Sequence, residues 1–247
     1  MEVFLKENER IDDLEYKGLK IIQNTEGFCF GIDAVLLSDF AKEIRNNSKV
    51  LDLGTGTGIL SILLTAKTKL EKIYGIEIQK EVADMAKRSV TLNDLENKIE
   101  IINKNIKELE EIFEKNYFEA IVTNPPYKKI QTGKINEKEN KLISRHEVTA
   151  NLEDFIKISF KLLKDKGSLY MVHRPERLAE IIYILKNNKL EPKKMRFVHS
   201  NNEQEPKLVL IKAVKNAREF LEVEKPLFIY NKKGDYTDEI LEIYNKK

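Results

Sequence analysis

Two short strings carry the chemistry. The first, Val50-Leu51-Asp52-Leu53-Gly54-Thr55-Gly56-Thr57-Gly58, joins an apolar run to an amphipathic stretch. Glycines at such a junction permit a tight turn and close backbone approach, so the N–H groups of the next helix face a ligand. A dinucleotide fingerprint would need glycine where Ile59 stands, and a phosphate-cradling loop would need a lysine that is absent. Glu77 lies 19 residues beyond Gly58, where a carboxylate can accept hydrogen bonds from both ribose hydroxyls of a nucleoside. Ile78 then offers an apolar face to a base. A plain strand-to-helix turn is the competing reading of the glycines. The second string is Asn124-Pro125-Pro126-Tyr127. Its prolines close a strand and restrict their predecessors to extended backbone. The Pro125 carbonyl and the Asn124 side chain then point acceptors out of the sheet, a fit for both N–H groups of a planar amine. Tyr127 would stack on the flat group.

The elements that must position these strings follow from periodicity. Val50–Leu53, Lys72–Ile76, Ile99–Ile102, Phe118–Thr123, Ser168–His173, Arg196–His199 and Leu208–Val214 read as strands. Ile59–Lys67, Lys80–Asn93, Leu152–Leu163 and Glu176–Lys186 have helical spacing, the last with Pro175 in its first turn. Alternating strands and crossover helices predict an α/β fold: a Rossmann-like, seven-stranded, mostly parallel sheet with helices on both faces. A short N-terminal β extension covers residues 1–31 and a helix spans Ile32–Ile44. A single domain is expected over 1–247, with a core at 32–222 and a strand/helix tail at 223–247. Lys128–Lys141 is polar, aperiodic and carries Gly133, which predicts a mobile loop or lid.

Composition excludes several classes. The 247 residues are 41% hydrophobic and 34% charged, enough apolar material for a core. No run is long and apolar enough for a membrane span, and the acidic start does not suit a signal peptide. One cysteine, Cys29, and three histidines without ligand spacing leave no metal expected. The chain is expected to be cytoplasmic, with a monomer as the default. The net charge of +2 hides an asymmetry: residues 1–127 carry 17 basic and 23 acidic side chains, residues 128–247 carry 26 and 18. Either the C-terminal half contacts a polyanion or the lysines reflect codon bias.

Asp52-x-Gly54-x-Gly56-x-Gly58 resembles motif I of the class I S-adenosylmethionine-dependent methyltransferases, and Asn124-Pro125-Pro126-Tyr127 resembles motif IV of those acting on base amines or glutamine amides. The resemblance implies S-adenosylmethionine as cofactor, with S-adenosylhomocysteine as product. Asp52, Gly54, Thr55, Gly56, Gly58, Glu77, Ile78 and Asn124 would line its site. Asn105 and Ile106 stand where the family has Gly-Asp-hydrophobic; Asn105 either accepts from the adenine amine or is a turn residue. Asn124, Pro125, Pro126 and Tyr127 would be the catalytic set, favouring a pyramidal amine whose lone pair attacks the sulfonium methyl.

Gly27-Phe28-Cys29-Phe30-Gly31-Ile32-Asp33 and the downstream Arg145-His146-Glu147, Val172-His173-Arg174-Pro175 and Arg196-Phe197-Val198-His199 resemble the YfiC/YabB family of tRNA adenine-N6 methyltransferases. The implied reaction methylates the N6 amine of the adenosine 3′ of the anticodon in a valine tRNA. Phe30, Gly31 and Asp33 would close over the methionine end of the cofactor; alternatively the phenylalanines are core and Asp33 caps a helix beginning near Ala34. Lys128, Lys129, Lys193, Lys194 and Arg196 are candidate RNA contacts. The alternatives are release-factor glutamine methylation, rRNA base-amine methylation and a cofactor-binding RNA module without activity.

Overall fold

The computed structural model describes residues 4–26, 31–127 and 150–246. Cys29, Phe30, Lys128, Lys129, His146 and the Lys128–Lys141 loop expectation lie outside them.

The chain opens with an antiparallel hairpin of β1 (Glu9–Asp13) and β2 (Lys20–Asn24). It continues through α1 (Ile32–Phe40), β3 (Lys49–Leu53), α2 (Ile59–Lys67), β4 (Lys72–Glu77), α3 (Lys80–Leu92), β5 (Ile99–Asn103) and β6 (Phe118–Thr123). After the undescribed segment come α4 (Leu152–Leu162), β7 (Leu163–His173), α5 (Leu178–Asn187), β8 (Leu190–His199) and β9 (Pro206–Lys215). Two-residue strands β10 (Glu222–Val223) and β11 (Leu227–Phe228) and helix α6 (Asp238–Ile243) finish it.

The main sheet has the order β5-β4-β3-β6-β7-β9-β8. All neighbours from β5 to β7 are parallel, and β9 is antiparallel to both β7 and β8. All seven expected strands are therefore present. β10 and β11 both add to the outer edge of β8, raising the described sheet to nine strands. Strand alternation explains why both faces are covered. On β3, Val50 faces α1, α2, α3 and the hairpin, while Leu51 and Leu53 face α4 and α5. The order of strand addition reverses between the parallel neighbours β3 and β6, β4 and β5 lying on one side and β7 on the other, so their carboxyl ends frame the crevice where open α/β sheets bind ligands.

Four local features differ from the sequence expectations, the first being that β7 begins at Leu163, five residues before the expected Ser168 and where the helix is expected to end. Helix α1 begins at Ile32 with Gly31 as its N-cap and ends at Phe40, where a turn replaces the expected continuation to Ile44. Pro175 starts a separate 3-10 turn, Pro175–Arg177, ahead of α5. β8 begins six residues before Arg196, with a register irregularity between Pro192 and Lys194 that accommodates the proline. The hairpin is fixed to α3 by a bidentate pair, Arg88 Nη1 and Nη2 to Glu9 at 2.7 and 2.6 Å, and by the Ile22 amide donating to Ser89 Oγ at 3.0 Å.

Candidate active site

The glycine loop is built by its own backbone. Gly54, Gly56 and Gly58 have φ of +72°, +58° and +92°, which only glycine adopts without strain. A Cβ on Gly54 would also meet the Phe155 ring at 3.6 Å. The Thr55 amide donates to the Ile76 carbonyl at 2.9 Å, tying the loop to β4. Beneath the turn, Asp52 is buried and accepts from Thr55 Oγ1 at 2.7 Å and Ser61 Oγ at 2.8 Å. Burial pushes its carboxyl up to about 6, against the pull of those two hydroxyls. Asp52 thus shapes the loop from below rather than reaching into the crevice.

Glu77, at the tip of β4, lies beside the loop. One carboxylate oxygen accepts from the Gly56 amide at 3.1 Å and the other from the Gln79 amide at 2.9 Å. Each oxygen retains a second lone pair, so the carboxylate is oriented for two hydroxyl donors. Asn103 supports this corner by donating to the Glu77 and Ile78 carbonyls at 2.8 and 2.9 Å. Asn105 caps the 3-10 turn Ile106–Glu111, its Oδ1 accepting from the Lys107 amide at 3.0 Å, and Ile106 is buried. Gly58 is the N-cap of helix α2 and supplies no side-chain cap, and the Ser61 amide in the first turn is directed at the Asp52 carboxylate.

Across the crevice, Thr123 Oγ1 donates to the Leu53 carbonyl at 2.8 Å and locks the ends of β6 and β3 together. Asn124-Pro125-Pro126-Tyr127 leaves β6 at that point. The Tyr127 hydroxyl stands 2.6 Å from Asp33 Oδ2 and 2.7 Å from Asn124 Oδ1. Burial, then the Asp33 charge, raise the phenol well above its ordinary value, so it stays protonated. Asp33 therefore does not cap α1; it reaches from the first turn of that helix to the tyrosine.

Three further residues act on Tyr127, and sequence reasoning assigned none of them to it. The Arg174 guanidinium lies 5.1 Å over its ring, and Arg177 Nη1 donates to its carbonyl at 3.3 Å. The buried His173 ring is 5.1 Å from the tyrosine ring. Its Nδ1 accepts from the Arg174 amide at 2.7 Å, and Nε2 has no hydrogen-bond partner among the described residues. Burial, then Arg177, lower this imidazole to about 4, so it is neutral.

The expected RNA patch sits differently. Lys194 is paired with Glu43 at 3.1 Å and Glu224 at 3.4 Å, and Arg196 with Glu239 at 2.7 Å and the Lys225 carbonyl at 2.9 Å. The Arg196 side chain is only 16% exposed. Lys193 donates to the Arg218 carbonyl at 3.2 Å. These cations clamp the C-terminal tail onto the sheet, and the structure does not gather them at the crevice.

The crevice, the glycine loop, the carboxylate at the tip of β4 and the strand-closing Asn-Pro-Pro-Tyr define the methyltransferase class of α/β proteins. Residues 31–202 match the family described as methyltransferase small domain, and the chain belongs to that family. It is similar to the tRNA1(Val) (adenine(37)-N6)-methyltransferase of Porphyromonas gingivalis, 28% identical over 81% of this chain and 79% of that one. The relative of the same name from Flavobacterium johnsoniae is 25% identical over 93% of this chain and 96% of its own. Among solved structures, one described as a predicted O-methyltransferase from Agrobacterium tumefaciens shares the fold with a TM-score of 0.70. It is 22% identical and covers 87% of this chain and 96% of its own.

Proposed function

We propose that this chain transfers a methyl group from S-adenosylmethionine to the N6 amine of the adenosine 3′ of the anticodon in a valine tRNA. The observation that carries the reading is Asn124 held at the crevice by Tyr127 and Asp33, opposite a glycine loop and Glu77. The names of the two relatives support the substrate.

The residues present fit the cofactor. Three left-handed glycines build the turn, and the space over Gly56 is open: a Cβ there would meet nothing within 4 Å. Glu77 would hold the ribose hydroxyls, Ile78 the adenine face, and the uncapped α2 terminus the methionine carboxylate, with Asn105 near the base. When bound, S-adenosylmethionine supplies an electrophilic methyl group.

The chain's own residues prepare the amine. Its N–H groups donate to the Pro125 carbonyl and Asn124 Oδ1, which draws electron density onto the nitrogen and favours the pyramidal form. One phenol proton cannot serve two acceptors. With that proton given to Asp33 Oδ2, a half-turn of the Asn124 carboxamide lets Nδ2 donate to the Tyr127 oxygen and frees Oδ1 for the substrate. The Tyr127 ring, clamped by Arg174 and His173, supplies the flat contact for the base.

Residues 1–247 would act as one catalytic unit, a core at 32–222 carrying the hairpin and tail. No helix among the described residues is long and apolar enough to cross a membrane, and a tRNA substrate would place the chain in the cytoplasm. A valine tRNA transcript with guanosine in place of the target adenosine tests the reading. Methyl incorporation should disappear, and undiminished incorporation would reject the assigned nucleotide.

A further inference from the structure

A second place for a base lies on the same edge of the sheet. β8 runs parallel to β7, so its carboxyl end at His199 faces the same side as Asn124. The Ile229 and Tyr230 amides donate to the His199 and Ser200 carbonyls at 3.0 and 2.8 Å, which carries Tyr230 to that edge. There the Tyr230, Tyr236 and Tyr244 rings form a ladder. The first pair is 5.5 Å apart at 12°, the second 5.9 Å apart at 16°. Tyr236 backs one side of Tyr230, yet Tyr230 remains 41% exposed.

Tyr230 lines a cleft of about 510 Å³ together with Asn201, Asn202, Glu203, Asn231 and Lys232. Asn201 and Asn231 use Oδ1 to accept backbone amides at 3.0 and 2.8 Å, and their Nδ2 groups make no hydrogen bond among the described residues. Amide donors, one carboxylate acceptor, an aromatic platform and a lysine form a mixed set. A phosphate alone would not use the platform or the carboxylate, whereas an unstacked nucleobase uses all of them, with Lys232 toward its phosphate.

A hydrogen bond links the two places. Arg174, over the Tyr127 ring, donates to the Lys207 carbonyl at 3.1 Å, and Lys207 follows the turn that carries Asn201 and Asn202. Three strand spacings of ~4.8 Å put β8 about 14 Å from β6, so a single RNA can occupy both.

We propose that Tyr230 and its cleft bind a second, unpaired nucleobase of the RNA whose adenosine is methylated; this rests on the RNA reading above. The half contributed by Tyr230, Asn231 and Lys232 lies beyond the residues that match the methyltransferase family.

Titration and steady-state methylation of valine tRNA test it. Tyr230→Ala should weaken tRNA affinity and raise KM about tenfold, the scale of one lost base–aromatic stack, with kcat and S-adenosylmethionine affinity unchanged. Tyr230→Phe should stay within about twofold, and Lys232→Glu should raise KM and flatten the salt dependence of binding. Wild-type KM and salt slope in both Tyr230→Ala and Lys232→Glu would overturn the site while leaving the RNA reading intact. If Tyr230→Ala does not fold, an unchanged Lys232→Glu overturns it alone. A wild-type protein that neither binds nor methylates tRNA overturns both.

Discussion

The Tyr127 hydroxyl stands 2.6 Å from Asp33 Oδ2, a contact that bridges 94 residues of chain. It ties the first turn of α1 to the end of β6 and decides where the phenol proton goes. In the proposed reaction that proton would decide which atom Asn124 offers the substrate, so a residue remote in sequence would position the amine acceptor.

Because Asp33 and Tyr127 act as a unit, their effects should not add. Asp33→Ala and Tyr127→Phe should each lower kcat by about tenfold, the scale of one charge-assisted hydrogen bond. The double variant should be no slower than the worse single one. Additive losses across that cycle would show that the two residues work separately.

Glu77→Ala should weaken S-adenosylmethionine binding by about 10- to 100-fold, because hydrogen bonds to a charged group are lost. Calorimetry that returned the wild-type affinity would remove the ribose role.

Two buried groups give opposite pH dependences. Asp52 has a folded value of about 6, above its ordinary 3.8. The native state therefore binds more protons between those values, and this contribution to stability is lost as pH rises toward 6. Asp52→Asn keeps an acceptor for Thr55 and Ser61 without the charge. Its Tm relative to wild type should climb between pH 4 and 7, and a flat difference would contradict the raised value.

His173 runs the other way. Its folded value of about 4 lies below the ordinary 6.5, so the unfolded chain binds the extra proton. Stability is complete above pH 6.5 and lost as pH falls toward 4. His173→Gln should lose less Tm than wild type between pH 7 and 5; an equal or larger loss would contradict a neutral buried imidazole.

The sequence made the seven strands legible because each is a short apolar run bounded by polar turns, and it made the glycine loop and Glu77 legible because their geometry is local. What it hid was tertiary. Asp33 looked like a cofactor contact or a helix cap, since nothing near it in sequence indicates Tyr127. Lys194 and Arg196 looked like free cations, because Glu43, Glu224 and Glu239 meet them only after folding. The early start of β8 was obscured by Pro192 and the lysines after it, which fit a strand only through an irregular register.

In the proposed reaction Asn124 presents an adenine amine of tRNA for methylation. The most direct test of that role is nucleoside mass spectrometry on tRNA incubated with labelled S-adenosylmethionine and either wild-type protein or Asn124→Ala. Wild type should place label in N6-methyladenosine, and Asn124→Ala should do so at least about 10²-fold more slowly at unchanged cofactor affinity. No label in N6-methyladenosine with wild type, or a variant as fast as wild type, would contradict it.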